Sequence, residues 1–423
     1  MNYCNRCLYP ENHALGLVFD DRNICSGCQV HEEKYIINWE EKEKILINFL
    51  DQYKSKINSN YDCIIPVSGT GDDFFVVDTV KNKYKMNPLL VTYNTHFNTA
   101  VGVRNLARLI TFSDCDHMMS TVGPDTVKEI TRQSLLRNGD IYWHVVAGNY
   151  TFPVQVATKL DIPLIIWGVN GWLDQVGMFS HFDNVEMTKK VRKEHGLRRI
   201  TPSNFLRFSK KLTNKDLQAF TYPSDEQLEK SRVRGIYLGN FIFWDSQKQV
   251  EKVIEKYNYE TLAQERTYNT YESINCWNNA GVHDYIKFLK YGYSKVNDHV
   301  ARDIRLKRLD RFQGLELINK YLEKKPSSLK KFFDWAEIDE NFFYTAVDKF
   351  RDKKVWRKDK NGKWIRHEKL LKSAIKKMRT TASLTSIKNK KYILTKLKEK
   401  EHKEYILLGR TYMDEFNYRS LEK

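Results

Sequence analysis

Between Tyr61 and Gly168 the sequence alternates short apolar runs with amphipathic segments of helical length. The runs read DCIIPV, PLLVTYN, DHMMSTV and IPLIIWG. A strand, a crossover helix and another strand in succession are typical of a parallel sheet covered on both faces. The sequence therefore predicts an α/β fold in this part of the chain. Helical patterning dominates from about Gln247 onward and predicts a helical C-terminal region.

Four cysteines lie within the first 28 residues as two CxxC pairs, Cys4 with Cys7 and Cys25 with Cys28, separated by 17 residues. This number and spacing match a tetrahedral four-cysteine zinc site, in which each pair chelates from a tight turn. Four thiolates leave no open coordination position, so we expect a structural zinc ion. The other cysteines, which we expect to pack as small apolar residues, are Cys63, Cys115 and Cys276.

The charge of the chain is unevenly distributed. Its 423 residues carry 70 Lys and Arg against 53 Asp and Glu, a net charge of +17. Residues 351–423 hold 23 basic and 9 acidic residues, a net charge of +14. A hydrophobic content of 41% excludes wholesale disorder, no run approaches a membrane span, and no secretory signal is visible. We therefore expect a soluble cytoplasmic protein whose basic, helical tail binds polyanions or membrane surfaces weakly.

A polar, glycine-containing segment follows the first predicted strand and precedes a predicted helix: Ser68, Gly69, Thr70, Gly71, Asp72 and Asp73. Backbone N–H groups and the positive end of a helix can hold phosphate oxygens at such a turn. The segment matches neither the Walker nor the Rossmann glycine pattern. Read alone, it is equally an ordinary turn in which Asp72 or Asp73 is the N-cap residue.

The segment resembles the SGGxDS loop of the PP-loop ATP pyrophosphatases, which cleave ATP to AMP and pyrophosphate. The paired cysteines CNRC and CSGC, then PVSGTGDD, TAVGVRNLARLI, GDIYWHVVAGNYTFPVQVA, IPLIIWG, YLGNFIFWD and YSKVNDHVARDIRL together resemble the N-acetyl sugar amidotransferases of surface-polysaccharide and nonulosonic-acid pathways. The resemblance implies a parallel-sheet PP-loop (adenine nucleotide alpha hydrolase-like) domain with an N-terminal zinc knuckle and a C-terminal helical region. The predicted units are a zinc knuckle (1–35), a linker helix (36–58), a PP-loop domain (59–246), a helical substrate-side region (247–350) and a basic tail (351–423).

The resemblance also implies a reaction. The acetamido oxygen of a sugar attacks the α-phosphorus of ATP, pyrophosphate leaves, and ammonia then displaces AMP to give an acetamidino group. Mg²⁺ is expected, because cations stabilise the charge that develops on the leaving pyrophosphate. Nothing in the chain resembles a glutaminase, so ammonia is expected from a separate glutaminase subunit, with a cyclase-like protein as a further partner.

The resemblance, together with the places of these residues at strand ends and on helices, gives three groups of predicted site residues. The predicted catalytic residues are Ser68, Asp72 and Lys290. The predicted ATP-binding residues are Ser68 to Asp73, which include Gly69, Thr70 and Gly71, together with Asn94 and Gly168. The predicted substrate residues are His144, Asp298, Arg302, Asp303 and Arg305. Each group also has a purely structural alternative. Asn94 would then belong to an ordinary turn, and His144 would be a satisfied core histidine. The charged residues from Lys290 to Arg305 would lie on a solvent-facing helix.

Three positions depart from the family pattern. Thr70 replaces the second glycine of the loop, Asp73 replaces its terminal serine, and Val169 occupies a position where an acidic residue is frequent. A carboxylate beside polyphosphate is repulsive unless a metal bridges them. Asp73 is therefore either an additional magnesium ligand or the mark of weak or altered activity.

Two other functions are also compatible with the sequence. A tRNA-modifying PP-loop enzyme of the thiolase type would also combine paired cysteines, a phosphate loop and a basic surface. Such an enzyme requires a reactive cysteine in its catalytic domain, and Cys63 lies in the strand before the loop. A noncatalytic nucleotide-binding homologue is the third possibility. The balance favours the amidotransferase, for which nucleic acid is not an expected partner.

Overall fold

The computed structural model describes residues 2–55 and 60–367. A five-stranded parallel sheet with the order β3-β2-β1-β4-β5 forms its centre. The strands are β1 (Cys63–Pro66), β2 (Pro88–Tyr93), β3 (His117–Ser120), β4 (Leu164–Trp167) and β5 (Arg234–Tyr237). Chain order reverses between β1 and β4, which is where open α/β sheets bind ligands at the carboxyl ends of their strands. The α/β fold class predicted from the sequence is confirmed.

Helices cover both faces of this sheet. One face packs against α6, which contacts β1, β2 and β4, and the other packs against α3, α4 and α11. The helices up to this point are α1 (Ser26–Glu33), α2 (Trp39–Asp51), α3 (Gly71–Asp78), α4 (Ala100–Ser113), α5 (Pro124–Asn138), α6 (Trp143–Leu160), α7 (Gly171–Asp174), α8 (Lys189–Val191), α9 (Pro202–Phe208), α10 (Asp225–Ser231) and α11 (Ser246–Tyr257). Helix α2 is the helix predicted in the linker.

The N-terminal knuckle is a small unit whose interior is formed by the four cysteines. Two isolated bridges, between Tyr3 and Pro10 and between Phe19 and Cys25, hold its loops, and α1 follows. Ala301 of the C-terminal region packs directly against the cysteines. The knuckle is therefore joined to the C-terminal helices by buried apolar contact.

Five helices form the C-terminal region around a separate apolar core that includes Val300, Phe332 and Phe343. They are α12 (Asp284–Tyr291), α13 (Lys295–Arg305), α14 (Arg311–Tyr321), α15 (Leu329–Ala336) and α16 (Glu340–Asp348). This agrees with the helical region predicted from the sequence. No helix of the described residues is long and apolar enough to cross a membrane.

The start of the basic tail differs from the predicted helix. Strands β6 (Trp356–Lys358) and β7 (Trp364–Arg366) pair antiparallel across a turn in which Gly362 has φ +76°. Glycine adopts this left-handed conformation without strain, and the flanking aromatic residues favour strands. The guanidinium of Arg351 lies over the rings of Trp356 and Trp364, at 4.7 and 5.2 Å. The rest of the predicted tail, residues 368–423, lies outside the described residues.

Candidate nucleotide site and cysteine centre

The loop between β1 and α3 is shaped by two glycines at positions where no other side chain fits. Gly69 has φ +82°, and a Cβ there would lie 2.7 Å from the backbone nitrogen of Leu106. A Cβ on Gly71 would lie 2.4 Å from Cγ2 of Val250. The loop is therefore held tightly between α4 and α11 at the start of α3. This is the strand-to-helix turn that the sequence predicts as a phosphate site.

Asp73 closes the loop on itself. Its Oδ2 accepts hydrogen bonds from the backbone nitrogens of Ser68 (2.7 Å) and Thr70 (2.9 Å) and from Ser68 Oγ (3.2 Å). Thr70 Oγ1 accepts in return from the backbone nitrogen of Asp73, which completes a capping box. Burial raises the pKa of Asp73, and these hydrogen bonds oppose that shift. Of the two roles considered for Asp73, this arrangement argues against magnesium ligation, because Oδ2 is already occupied.

Asp72, in contrast, has an available oxygen. Its Oδ2 accepts from Ser246 Oγ at 3.3 Å, whereas its buried Oδ1 has no hydrogen-bond partner in the described part of the chain. Burial, reinforced by the negative charge of Glu272, raises the pKa of Asp72 to about 7. A buried carboxylate without a full set of partners requires a cation or a proton. Asp72 therefore fits Mg²⁺, which typically uses one or two carboxylates together with phosphate oxygens.

Two adjoining cavities open beside this loop. The loop cavity, of about 200 Å³, is lined by residues that include Thr70, Gly71 and Asp72. The Arg302 cavity, of about 310 Å³, is lined by residues that include Lys295 and Asp298. Both are also lined by Asp174, Gln175, Glu272, Ser273 and Arg302. The loop and α13, 230 residues apart in sequence, thus contribute to one polar site.

Cations balance the carboxylates of this site. Glu272 forms ion pairs with Arg302 (2.5 Å) and with His299 Nε2 (3.2 Å). Burial opposes ionisation of Glu272, but the charges and hydrogen bonds of Arg302 and His299 together outweigh it and hold the pKa of Glu272 well below its usual range. Lys34 Nζ lies 2.6 Å from Asp174 Oδ1 and lowers the pKa of Asp174 against the effect of burial. With these two carboxylates paired, Asp72 is left to receive a metal or a proton.

Three of the predicted substrate residues line the Arg302 cavity: Asp298, Arg302 and Arg305. Asp298 accepts from Tyr9 OH (3.0 Å) and from Lys287 Nζ (2.5 Å). Asp174 and Glu272 are not among the site residues predicted from the sequence. Asp174 follows β4 at the carboxyl edge of the sheet, where the topology places ligands, so this rule offered a signal for it. Glu272 lies in a segment without secondary-structure periodicity and gave no such signal.

Lys290, predicted to be catalytic, lies elsewhere. Its Nζ donates to the carbonyls of Asn138 (3.3 Å) and Gly139 (3.0 Å) at the end of α5. A lysine commonly satisfies the last carbonyls of a helix in this way. Lys290 lines neither the loop cavity nor the Arg302 cavity. Lys290 instead lines a further cavity between α5 and α12, and its catalytic role remains a prediction.

His144, a predicted substrate residue, lines neither the loop cavity nor the Arg302 cavity. It is fully buried between the sheet and α6, with Nδ1 3.2 Å from Tyr93 OH and its ring packed against Phe97. Burial lowers its pKa to about 3, so the imidazole is neutral. His144 is a core histidine, because α6 turns this side chain toward the strands.

Asp303 and Arg305, both predicted substrate residues on α13, make structural contacts. Asp303 accepts from Tyr268 OH (2.5 Å) and pairs with Arg308 (3.3 Å), and it lines neither cavity. Arg305 borders the Arg302 cavity but directs its guanidinium to the cysteine sulfurs and to the carbonyls of Asp174 (3.1 Å) and Gln175 (2.8 Å). The first residue is a structural ion-pair partner, and the second joins the knuckle to the sheet.

The remaining ATP-site predictions, Asn94 and Gly168, lie at the carboxyl edge of the sheet, as expected. Asn94 Oδ1 accepts from the backbone nitrogen of His96 (3.0 Å) and from Asn98 Nδ2 (2.9 Å), so it holds its own turn together. The carbonyl of Gly168 accepts from the nitrogen of Gly239 (2.9 Å). Neither residue lines the two cavities, although Val169 lines the loop cavity.

The four cysteines converge on one point. All four sulfur atoms lie within 4.8 Å of one another, with Cys4 and Cys28 3.9 Å apart and Cys7 and Cys25 3.5 Å apart. Sulfurs bound tetrahedrally to zinc at about 2.3 Å are separated by about 3.8 Å. Within residues 2–55 and 60–367, no other three or more His, Cys, Asp or Glu side chains bring their ligand atoms together in this way. The ligand set thus fits a zinc ion, as the spacing of the pairs predicts.

Buried donors surround the cysteine sulfurs. Backbone nitrogens of Arg6, Cys7 and Cys25 lie 3.3 to 3.5 Å from Cys4 Sγ. Arg305 donates to Cys7 Sγ and Cys25 Sγ, both at 3.6 Å. A zinc ion with four thiolates carries a net charge of −2, which such cations and N–H groups compensate.

Part of this chain is similar to a known protein family. Residues 251–371 match the family described as "LPS biosynthesis protein WbpG-like, C-terminal domain". Over these residues, the match to a lipopolysaccharide-biosynthesis family agrees with the family that the ordered motifs predict. The matched segment contains Glu272 and Arg302, but it excludes the loop.

Other similarities are more distant. An uncharacterized protein of Methanocaldococcus jannaschii is 25% identical over 116 residues, which cover 27% of this chain and 41% of that protein. An NMN synthetase from Francisella tularensis is 14% identical with a TM-score of 0.27, covering 52% of this chain and 87% of its own. An NH3-dependent NAD synthetase from Campylobacter jejuni is 12% identical with a TM-score of 0.27, and the similarity covers 46% of this chain and 95% of the synthetase chain.

Proposed function

We propose that this protein is an ATP-dependent amidotransferase of lipopolysaccharide biosynthesis, which converts the acetamido group of a sugar to an acetamidino group. The observation that carries the proposal is the position of the glycine loop. It opens into a cavity that Asp72 lines together with Arg302, in a chain whose helical region matches a lipopolysaccharide-biosynthesis family. Anionic phosphates and a magnesium ion suit this combination of N–H groups, carboxylate and guanidinium.

In the proposed reaction, the acetamido oxygen forms a bond to the α-phosphorus of ATP, and the bond from that phosphorus to the β-phosphate oxygen breaks. Ammonia then adds to the activated carbon, and AMP leaves with the former acetamido oxygen. The nitrogen of ammonia remains in the amidine after its surplus protons are lost. The overall products are AMP, pyrophosphate and the acetamidino sugar.

The loop and its neighbours have separate roles in this scheme. Gly69 and Gly71 allow the backbone to approach the phosphates, while the capping box of Asp73 keeps the loop in shape. Asp72 would hold Mg²⁺, which supplies charge neutralisation on the leaving pyrophosphate. Arg302, fixed by Glu272, stabilises negative charge on the α-phosphate.

The ammonia source is proposed to be a separate glutaminase. A glutaminase of the cysteine type needs a nucleophilic thiol in an accessible site. The four knuckle cysteines form the proposed zinc centre, and no cysteine lines the loop cavity or the Arg302 cavity. Burial within β1 raises the pKa of Cys63 well above its usual value, which also disfavours the sulfur-transfer alternative.

The products distinguish this function from its alternatives. Full-length protein incubated with ATP, Mg²⁺, ammonium and a panel of N-acetylated sugars is expected to form AMP and pyrophosphate only when an acceptor sugar is present. Phosphorus NMR identifies both products directly. Formation of ADP, or tRNA thiolation without any sugar requirement, would contradict the assignment, and release of no product with any sugar would favour the noncatalytic alternative.

A further inference from the structure

A third cavity, of about 320 Å³, lies between α5, the start of α6, α12 and the knuckle. Aromatic side chains form much of its wall, and we call it the aromatic cavity. These side chains are Tyr142, Trp143, Tyr150, Trp172, Tyr291 and Tyr293. The volume is at the lower end of the range of small-molecule sites, and the apolar wall is also typical of them.

Polar groups are set deep between these rings. Ser134 Oγ is fully buried and has no hydrogen-bond partner in the described part of the chain. The imidazole of His13 is also buried; its Nε2 lies at ion-pair distance, 3.7 Å, from Asp298 Oδ1 but has no hydrogen-bond partner in the described part of the chain. Buried polar atoms are nearly always satisfied in native proteins, so each one left open requires an explanation. A ligand with hydroxyl groups would satisfy both.

The aromatic cavity shares walls with the candidate nucleotide site. Gln175 lines all three cavities. Lys287 lines the aromatic cavity and donates to Asp298, which lines the Arg302 cavity on the other side. A molecule in the aromatic cavity would therefore lie one side chain away from the nucleotide site.

We propose that the aromatic cavity holds the sugar ring of the acceptor, with its acetamido group directed past Gln175 toward the nucleotide site. This inference rests on the proposed function and assigns the acceptor a place that none of the predicted substrate residues indicated. A pyranose ring presents apolar C–H faces, which pack on aromatic rings, and a rim of hydroxyl groups, which pair with polar atoms. Ser134 and His13 are the polar partners that this ring would use.

Ser134 provides the test, because no group in residues 2–55 and 60–367 forms a hydrogen bond with its hydroxyl. Ser134→Met fills the cavity, and Ser134→Ala removes only the hydroxyl, with little expected change in thermal stability. Binding of N-acetylglucosamine and N-acetylmannosamine, free and as their phosphates, is measured by saturation-transfer NMR, and binding of α,β-methylene ATP with Mg²⁺ by calorimetry. We expect Ser134→Met to weaken sugar binding at least about tenfold and Ser134→Ala about threefold or more, with nucleotide affinity unchanged within about twofold.

The outcomes separate the location from the function. Unchanged sugar binding in both variants would overturn the location and leave the proposed function standing. Weaker nucleotide binding in Ser134→Met would assign the cavity to the adenine base, which also overturns the proposal. A wild-type protein that binds the nucleotide but none of these sugars would contradict the proposed function itself. If Ser134→Met is unstable, Ser134→Ala alone decides the question.

Discussion

Asp72→Asn is expected to lower sugar-dependent AMP formation by about a hundred- to a thousandfold, the range that single electrostatic contacts to a transition state supply. Asp72 Oδ1 is the open carboxylate oxygen beside the loop, whereas Asp174 and Glu272 are paired with cations. An amide is nearly the same size but binds Mg²⁺ poorly, so geometry is kept and charge is lost. The measurement is the initial rate of AMP release at saturating ATP and sugar.

Asp73→Asn is the matched control, because it removes one carboxylate charge from the same turn. Its amide oxygen can still accept from the nitrogens of Ser68 and Thr70. The AMP-forming rate of this variant is expected to stay within about fivefold of wild type, since a single neutral hydrogen bond has a modest net effect. Equal, large losses in both variants would show that the loop needs its total charge and would contradict the separate role given to Asp72.

Stability separates a loss of chemistry from a loss of folding. Burial raises the pKa of Asp72 to about 7, above its value in an unfolded chain. The folded protein therefore holds a proton that the unfolded chain releases, and this contribution to stability falls as the pH rises from about 4 to 7. Without added Mg²⁺, Asp72→Asn is expected to unfold at the same or a higher temperature than wild type at pH 8. A lower unfolding temperature would make its inactivity uninformative, and Asp72→Ser would then replace it.

Cys25→Ser is expected to remove the zinc ion and to lower the free energy of unfolding by several kcal/mol. Zinc binding contributes to folding directly in small units of this kind. The knuckle interior consists largely of the cysteines themselves, so no other core compensates. Zinc content by elemental analysis and the thermal unfolding midpoint are the two measurements.

Cys115→Ser is the control for this variant, because Cys115 is half-buried and far in sequence from the cluster. It is expected to retain one zinc ion per chain. Zinc content that is unchanged in Cys25→Ser, or zinc absent from wild type purified without added metal, would refute the centre. Because Arg305 bridges Cys7 and Cys25 to the carbonyls of Asp174 and Gln175, zinc loss is also expected to reduce nucleotide binding.

Features with local causes were predictable from the sequence. The alternating apolar runs predict the parallel strands, and the spacing of the cysteine pairs predicts their convergence. The loop position followed from the strand before it and the helix after it. In each case a few neighbouring residues determine the outcome.

The distribution of charged side chains was not predictable in the same way. Lys290, Asp303 and Arg305 lie in one charged stretch of sequence but have different partners in the structure. Lys290 donates to a carbonyl at the end of α5, Asp303 forms an ion pair with Arg308, and Arg305 donates to the cysteine sulfurs. The partner of each charged side chain depends on how α12 and α13 pack against segments that are distant in sequence. Glu272 was missed for the same reason, since its importance arises only from contact with Arg302 and His299.

The most direct test of the central claim is the fate of the acetamido oxygen. An acceptor sugar carrying oxygen-18 in its N-acetyl group is incubated with the protein, ATP, Mg²⁺ and ammonium, and the products are analysed by mass spectrometry. Attack of that oxygen on the α-phosphorus predicts one oxygen-18 atom in AMP and none in pyrophosphate. Unlabelled AMP, or label in inorganic phosphate formed together with ADP, would contradict the proposed adenylation.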